Sequence, residues 1–165
     1  MMHYCPKCAT KLVTKNVDNK PYLSCPDNSC GYVFWNNPVP VVAGVVETDQ
    51  GIILAHNKKW PKKIYSIITG FLESSESPDI AIRRETSEEL GLHVDTTKII
   101  GAYNFEKMNQ VIIAYHVHAK GNVALNYELD DYITVSKEII GGYDFKPLYI
   151  TQQIIDDWLA NKNKS

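Results

Sequence analysis

No apolar run in this sequence approaches the roughly 20 residues that a membrane-crossing helix needs, so spanning helices are excluded. The opening Met1-Met2-His3-Tyr4-Cys5 lacks a charged segment followed by an apolar stretch, and a secretory leader is not expected. Neither sign of charge dominates: 17 Lys and Arg stand against 19 Asp and Glu, a formal net charge of −2. That balance argues against a dedicated DNA-binding domain, although it allows a local basic patch. Internal repeats and low-complexity tracts are also missing, and cysteine does not occur beyond residue 30. What is present is ordinary globular material. In 165 residues, 44% hydrophobic and 10% aromatic content supplies enough apolar surface to offset the entropy of ordering the chain. The expectation is a cytoplasmic protein of one compact domain with a small appendage.

The four cysteines fall as Cys5-x2-Cys8 and Cys25-x4-Cys30, separated by 16 residues. Two such knuckles can set four thiolates around one tetrahedral Zn²⁺. Pro6 and Pro26 follow the first cysteine of each pair and Gly31 follows the last, which suits tight turns. Leu12-Val13 and Tyr22-Leu23 read as short strands joined by Asp18-Asn19-Lys20, as in a zinc ribbon. Two disulfides in an oxidising compartment are the other reading of the same residues. A segment this short cannot bury a core of its own, so the metal is expected to be structural and coordinatively closed.

Asn36-Asn37-Pro38 breaks the pattern and marks a boundary, giving a ribbon over 1–36 and a second domain over 37–165. Strands are expected at Val39–Val46, Gly51–Ala55, Ile64–Ile68, Lys98–Tyr103 and Val111–His118, with helices over 79–90 and 148–160 and a frayed tail from Asn161 to Ser165. Strands mixed with two helices point to an α/β or α+β sandwich.

Residues 70–92 carry the most chemical information. Ser77 can cap a helix, Pro78 fits its first position, and Gly91 suits the position just past its end. On that helix Glu85, Glu88 and Glu89 stand at i, i+3 and i+4 and share one arc, beside an apolar stripe of Ile82, Thr86 and Leu90. Three carboxylates on one face repel each other and raise their own pKa values, and a hard divalent cation such as Mg²⁺ or Mn²⁺ removes that repulsion. Arg84 is within reach of Glu76 in the preceding loop. On glutamate spacing alone a solvated acidic face is an equal reading.

The full pattern, Gly70-x5-Glu76-x7-Arg84-Glu85-x2-Glu88-Glu89-x-Gly91-Leu92, resembles the signature box of the Nudix hydrolases. Thr86 and Ser75 depart from it, at positions where an apolar residue and a glycine are usual, and neither change touches a carboxylate. The resemblance implies an α/β/α sandwich around a mixed sheet. It also implies Mg²⁺- or Mn²⁺-dependent hydrolysis of the pyrophosphate bond in a nucleoside diphosphate linked to another moiety. By the same resemblance the metal is held by Glu85, Glu88, Glu89 and the Gly70 carbonyl, and Arg84 and Glu76 orient the loop and helix. A further acid beyond the box often takes part, and Glu128 is the matching residue here.

The order of ribbon, Asn37-Pro38 and box resembles the zinc-ribbon branch that contains the NADH pyrophosphatases. Their S-Q-P-W-P-F-P motif is absent from Gly101–Lys107, so ADP-ribose, FAD and NAD(H)-like dinucleotides all remain candidate substrates, releasing a nucleoside monophosphate. Two other functions compete: a non-catalytic nucleotide sensor on the same fold, and decapping of NAD-capped RNA, with the RNA 5′ end not favoured as a partner. A homodimer is implied by the resemblance, and no membrane or DNA partner is expected. Phe71 reads as core, and Tyr103 and Phe105 as core or base-stacking residues. Lys58–Lys63, with Trp60 inside it, reads as a solvated basic loop, and His116 and His118 as structural residues on one strand face.

Overall fold

The computed structural model describes residues 2–162 and divides them into two compact units between Asn37 and Pro38. The first is a three-stranded antiparallel sheet of β1 (Val13–Val17), β2 (Lys20–Ser24) and β3 (Val33–Phe34), in that order. Its hairpin turns through Asp18 and Asn19, both left-handed at φ 50° and 63°. That pair of conformations matches the strand twist and is tolerated by Asp and Asn.

Each cysteine pair sits in a turn closed by its own backbone. Ala9 N–H donates to the Cys5 carbonyl at 2.8 Å, and Cys30 N–H to the Asp27 carbonyl at 3.1 Å. Gly31 takes the positive φ expected of it, 62°. All four thiols are unbonded. The Cys5–Cys30 and Cys8–Cys25 sulfurs lie 3.5 Å apart, and the four sulfurs fall within 4.8 Å of one another. A tetrahedron of 2.3 Å zinc–sulfur bonds has edges of about 3.8 Å. The donor set therefore fits one Zn²⁺, as in a zinc ribbon, and the disulfide reading does not hold.

The second unit is a mixed sheet with a helix on each face. Its strands are β4 (Val39–Thr48), β5 (Gly51–Asn57), β6 (Ile68–Phe71), β7 (His93–Phe105), β8 (Gln110–Lys120) and β9 (Leu129–Val135), ordered β7-β8-β4-β5-β9 with β6 paired to β4. β4 and β8 run parallel; the other pairs are antiparallel. β4 is apolar on both faces because it is covered on both. Val41, Ala43 and Val45 pack with Ile154, Ile155 and Trp158 of α2 (Tyr149–Lys162). Val42 and Val46 pack with Ala81, Ile82 and Leu90 of α1 (Pro78–Leu90). Gly44 lets α1 approach, since a Cβ there would stand 2.8 Å from Ile82 Cδ1.

α1 begins and ends as its sequence dictates. Ser77 Oγ accepts from Ile80 N–H at 3.4 Å, Pro78 occupies the first turn, and Gly91 closes the helix at φ 67°. Thr86 is fully buried, and its hydroxyl donates to the Ile82 carbonyl at 2.7 Å, so the unusual residue brings no unsatisfied group into the core.

β4 pairs with β5 only through Val46–Thr48 and with β6 through Val41–Gly44. The sheet thus forks, and β5 and β6 diverge beyond the Ala55–Ser66 bridge. Four expectations are corrected. The strand expected at Ile64–Ile68 lies at Ile68–Phe71, because Pro61 and the left-handed Lys63 (φ 72°) keep the preceding chain in a loop. β7 extends well beyond Lys98–Tyr103; its two register shifts, at Val94/Thr96 and Ile99/Gly101, disrupt alternation. β9 was not anticipated. The expected tail falls partly within α2, and Asn163–Ser165 lie outside the described residues.

Candidate functional site

The fork opens a cavity of about 510 Å³, bounded by β6, α1, the Trp60 loop and the chain leading into β9. Little more than one turn of α1 presents Glu85, Glu88 and Glu89 to it. Glu88 is exposed, Glu85 is half-buried, and Glu89 is buried at 8% exposure. Glu128 lines the same cavity from the chain leading into β9. Asn126 sets that approach: its side-chain oxygen accepts from Glu128 N–H at 2.9 Å and Leu129 N–H at 3.3 Å, an Asx turn. Asn126 is itself tied to the end of α1 through the Glu89 carbonyl at 3.2 Å.

Arg84 knits the loop to the helix. Its Nη2 and Nε donate to the two Glu76 oxygens at 2.7 and 3.2 Å, and Nη2 also to the Phe71 carbonyl at 3.1 Å. Its Nη1 donates to Glu85 at 2.8 Å and Glu88 at 3.1 Å, engaging one oxygen of each and leaving the other. Glu76 in turn accepts from Glu73 N–H at 2.7 Å. The guanidinium holds Glu76 below the usual carboxylate range, and the Glu76 contact raises Arg84 further, so both remain charged. Ser75 explains the glycine usual before the first glutamate: its φ is 70°, a left-handed conformation that costs a side chain about 1 kcal/mol.

The charge balance is unequal, with Glu76, Glu85, Glu88, Glu89 and Glu128 set against the single guanidinium of Arg84. Burial pushes Glu89 up to about 8, helped by the charges of Glu85, Glu128 and Glu88. Burial also raises Glu85, against the downward pull of Arg84. Buried, mutually repelling oxygens are the donors that a hard divalent cation satisfies, so the residues present fit such an ion. Gly70 borders the cavity on β6 directly against Glu85, where an added Cβ would stand 2.0 Å from its carboxyl carbon.

The structure thus brings Gly70, Glu76, Arg84, Glu85, Glu88, Glu89 and Glu128 together. It differs from the sequence reading at Phe71. Phe71 is exposed and borders the cavity instead of entering the core, because β6 ends at the fork. Tyr103 is buried, its hydroxyl donating to Asp157 at 2.9 Å. The Trp60 loop is anchored: His56 stands 2.6 Å from Asp130 through Nδ1 and 3.2 Å from the Pro61 carbonyl through Nε2. The Asp130 contact raises the His56 pKa. Trp60 and Gln110 border the cavity and were not singled out as a pair; the parallel β4–β8 register that brings Gln110 beside Val39 has no local signal.

The family profile described as NUDIX domain matches residues 37–139. Among curated relatives, the "NAD-capped RNA hydrolase NudC" of Pseudomonas aeruginosa is 26% identical over 113 residues, 68% of this chain and 39% of that protein. The human "NAD(P)H pyrophosphatase NUDT13, mitochondrial" is 30% identical over 97 residues, 58% of this chain and 27% of its own length. The chain therefore spans less than half the length of these relatives. A NUDIX hydrolase from Nitrosomonas europaea shares the fold with a TM-score of 0.82 at 17% identity, covering 99% of this chain and 94% of that one. With the profile spanning most of the second unit and the fold matched throughout, this chain belongs to the NUDIX family.

Proposed function

We propose that the chain hydrolyses the pyrophosphate bond of a nucleoside diphosphate linked to a second moiety, in the presence of Mg²⁺ or Mn²⁺. The observation that carries this is the set of carboxylates Glu85, Glu88, Glu89 and Glu128 around one cavity, braced by Arg84 and Glu76. Glu85, Glu88, Glu89 and the Gly70 carbonyl would hold the cation. When bound, the cation offsets charge on the phosphoryl oxygens and acidifies coordinated water. Glu128 is the candidate to take the proton of the attacking water, and Arg84 and Glu76 keep the Phe71–Glu76 loop against the helix. Water adds to one phosphorus, the bridging oxygen leaves with the other, and two monophosphates result.

A second cavity of about 610 Å³ adjoins the first and shares Val41, Trp60, Thr69 and Gln110 with it. Phe105, Leu148 and Tyr149 give it apolar and aromatic walls suited to a base or nicotinamide ring. The names of the relatives favour NAD-like substrates, free or at an RNA 5′ end, whereas the missing S-Q-P-W-P-F-P motif keeps ADP-ribose and FAD in contention.

A turnover panel tests the reading: NADH, NAD, ADP-ribose, FAD and NAD-capped RNA with Mg²⁺ or Mn²⁺, products separated. The expected result is nucleoside monophosphate from one substrate well above the rest, and none without the cation. Binding without cleavage across the panel by folded protein would overturn it in favour of a sensor.

Gly70→Ala probes the ligand packing. The new methyl is expected to displace Glu85 and weaken Mn²⁺ binding by about tenfold or more, with the fold retained. Paramagnetic titration of free Mn²⁺ reads this directly; unchanged affinity would remove Gly70 and Glu85 from the site.

A further inference from the structure

At the opposite end of the sheet, Glu47, His116 and His118 form a second group of metal-capable side chains. β4 and β8 are parallel neighbours in which Val45 pairs with His116 and Glu47 with His118. Residues 47, 116 and 118 therefore stand on one sheet face, the face that α2 covers further along. Glu47 Oε2 is 2.6 Å from His116 Nε2 and 3.9 Å from His118 Nε2. One ligand atom from each of the three lies within 4.8 Å of the others. Lys137 Nζ binds the other Glu47 oxygen, Oε1, at 3.0 Å, which orients the carboxylate with Oε2 toward the two rings. The ring centroids of His116 and His118 are 4.3 Å apart. Glu47 is six residues along β4 from Val41 at the carboxylate cavity, roughly 20 Å at strand rise.

We propose that Glu47, His116 and His118 form a binding site for a first-row divalent metal of the zinc, cobalt or nickel type, separate from both the cysteine cluster and the carboxylate cavity. Two imidazoles and one carboxylate are the donors such ions prefer over Mg²⁺, which takes oxygen. Ligand atoms on a tetrahedral ion with bonds of about 2.0–2.1 Å are about 3.4 Å apart. His116 and Glu47, now hydrogen-bonded at 2.6 Å, must open by about 0.8 Å to admit the ion, and His118, whose side chain is 52% exposed, closes on it from 3.9 Å. The ion takes the place of the hydrogen bond between His116 and Glu47, and water completes the coordination on the open side. Lys137 then serves as the outer partner that fixes the carboxylate.

The test uses the full chain with its cysteine cluster loaded with zinc and with Mg²⁺ in excess. Co²⁺ is titrated by visible absorption, and the imidazole nitrogens are followed by long-range proton–nitrogen NMR, in the wild type and in His118→Ala. The expected result is one equivalent of Co²⁺ bound without sulfur charge-transfer absorption, with the His116 and His118 resonances displaced. In His118→Ala the affinity falls by at least about tenfold. Because His118 is exposed, that variant is expected to fold normally. Equal Co²⁺ uptake by the two proteins, or unmoved His116 and His118 resonances, would overturn the proposal.

Discussion

Glu89→Gln is expected to reduce hydrolysis by roughly 10³-fold while making the magnesium-free protein more stable. A cation that offsets phosphoryl charge lowers the barrier by several kcal/mol, and each 1.36 kcal/mol is tenfold in rate. Glutamine keeps the shape of the side chain and removes the negative oxygen, so the loss falls on the cation. The gain in stability has the same source. Glu89 is buried beside Glu85, Glu88 and Glu128, and its folded-state pKa is pushed up to about 8 from an ordinary 4.5. Between those values the folded chain binds more protons than the unfolded one, so stability falls as pH rises, by about 1.4 kcal/mol per unit at most for this group. Below pH 4.5 the penalty vanishes, and above about 8 it is complete. Glutamine abolishes this slope. Thermal melts of zinc-loaded, magnesium-free protein across that range should show the wild type losing stability with rising pH and the variant changing less. Mg²⁺ should stabilise the wild type and have little effect on Glu89→Gln. A variant with full turnover would remove Glu89 from the metal set; one less stable than wild type at pH 8 would contradict the electrostatic account.

How much of this was legible in the sequence depends on where each element keeps its partners. α1 could be read because its start, its end and its carboxylates are local: Ser77, Pro78 and Gly91 fix its ends, and helical spacing alone gathers Glu85, Glu88 and Glu89. β4, β5 and β8 could be read because burial demands apolar residues over most of their length. β9 could not, since Asp130, Asp131 and Tyr132 on this edge strand face water and imitate a loop. The cavity was only half legible for the same reason. Glu85, Glu88 and Glu89 of its acidic wall come from one helix, but Trp60, Gln110 and the exposed Phe71 arrive by long-range pairing and by the forking of β4. Strand alternation alone puts His116 and His118 on one face; that Glu47 joins them follows from the parallel register of β4 and β8, which no local pattern reveals.

Cys25→Ser is expected to cost the first unit both its zinc and its structure while leaving the second unit folded. The buried apolar side chains of the first unit are Cys5, Leu12 and Cys25, with Met2, Leu23, Cys30 and Tyr32 partly covered around them. That is too little apolar surface to offset the ordering of three dozen residues. A zinc ion held by the four thiolates would supply the difference, since binding free energies of about 10–16 kcal/mol for structural sites appear as folding free energy. Cys25 is the informative thiol to remove, because it is buried, donates its N–H to the Tyr32 carbonyl at 2.9 Å and contacts Cys8 across the cluster. Serine offers a hydroxyl that does not ionise as a thiolate does, leaving three soft ligands and an open position. The second unit has two separate apolar clusters, one under each helix, and neither includes a ribbon residue. Metal analysis should find one zinc fewer per chain than in the wild type. Amide NMR should show the signals of residues 2–37 collapsing to the narrow range of an unfolded chain, with those of 38–162 still dispersed. Retention of the zinc with a dispersed ribbon would mean that three thiolates suffice and that the fourth serves another purpose. Collapse of both sets of signals would mean that the two units fold as one.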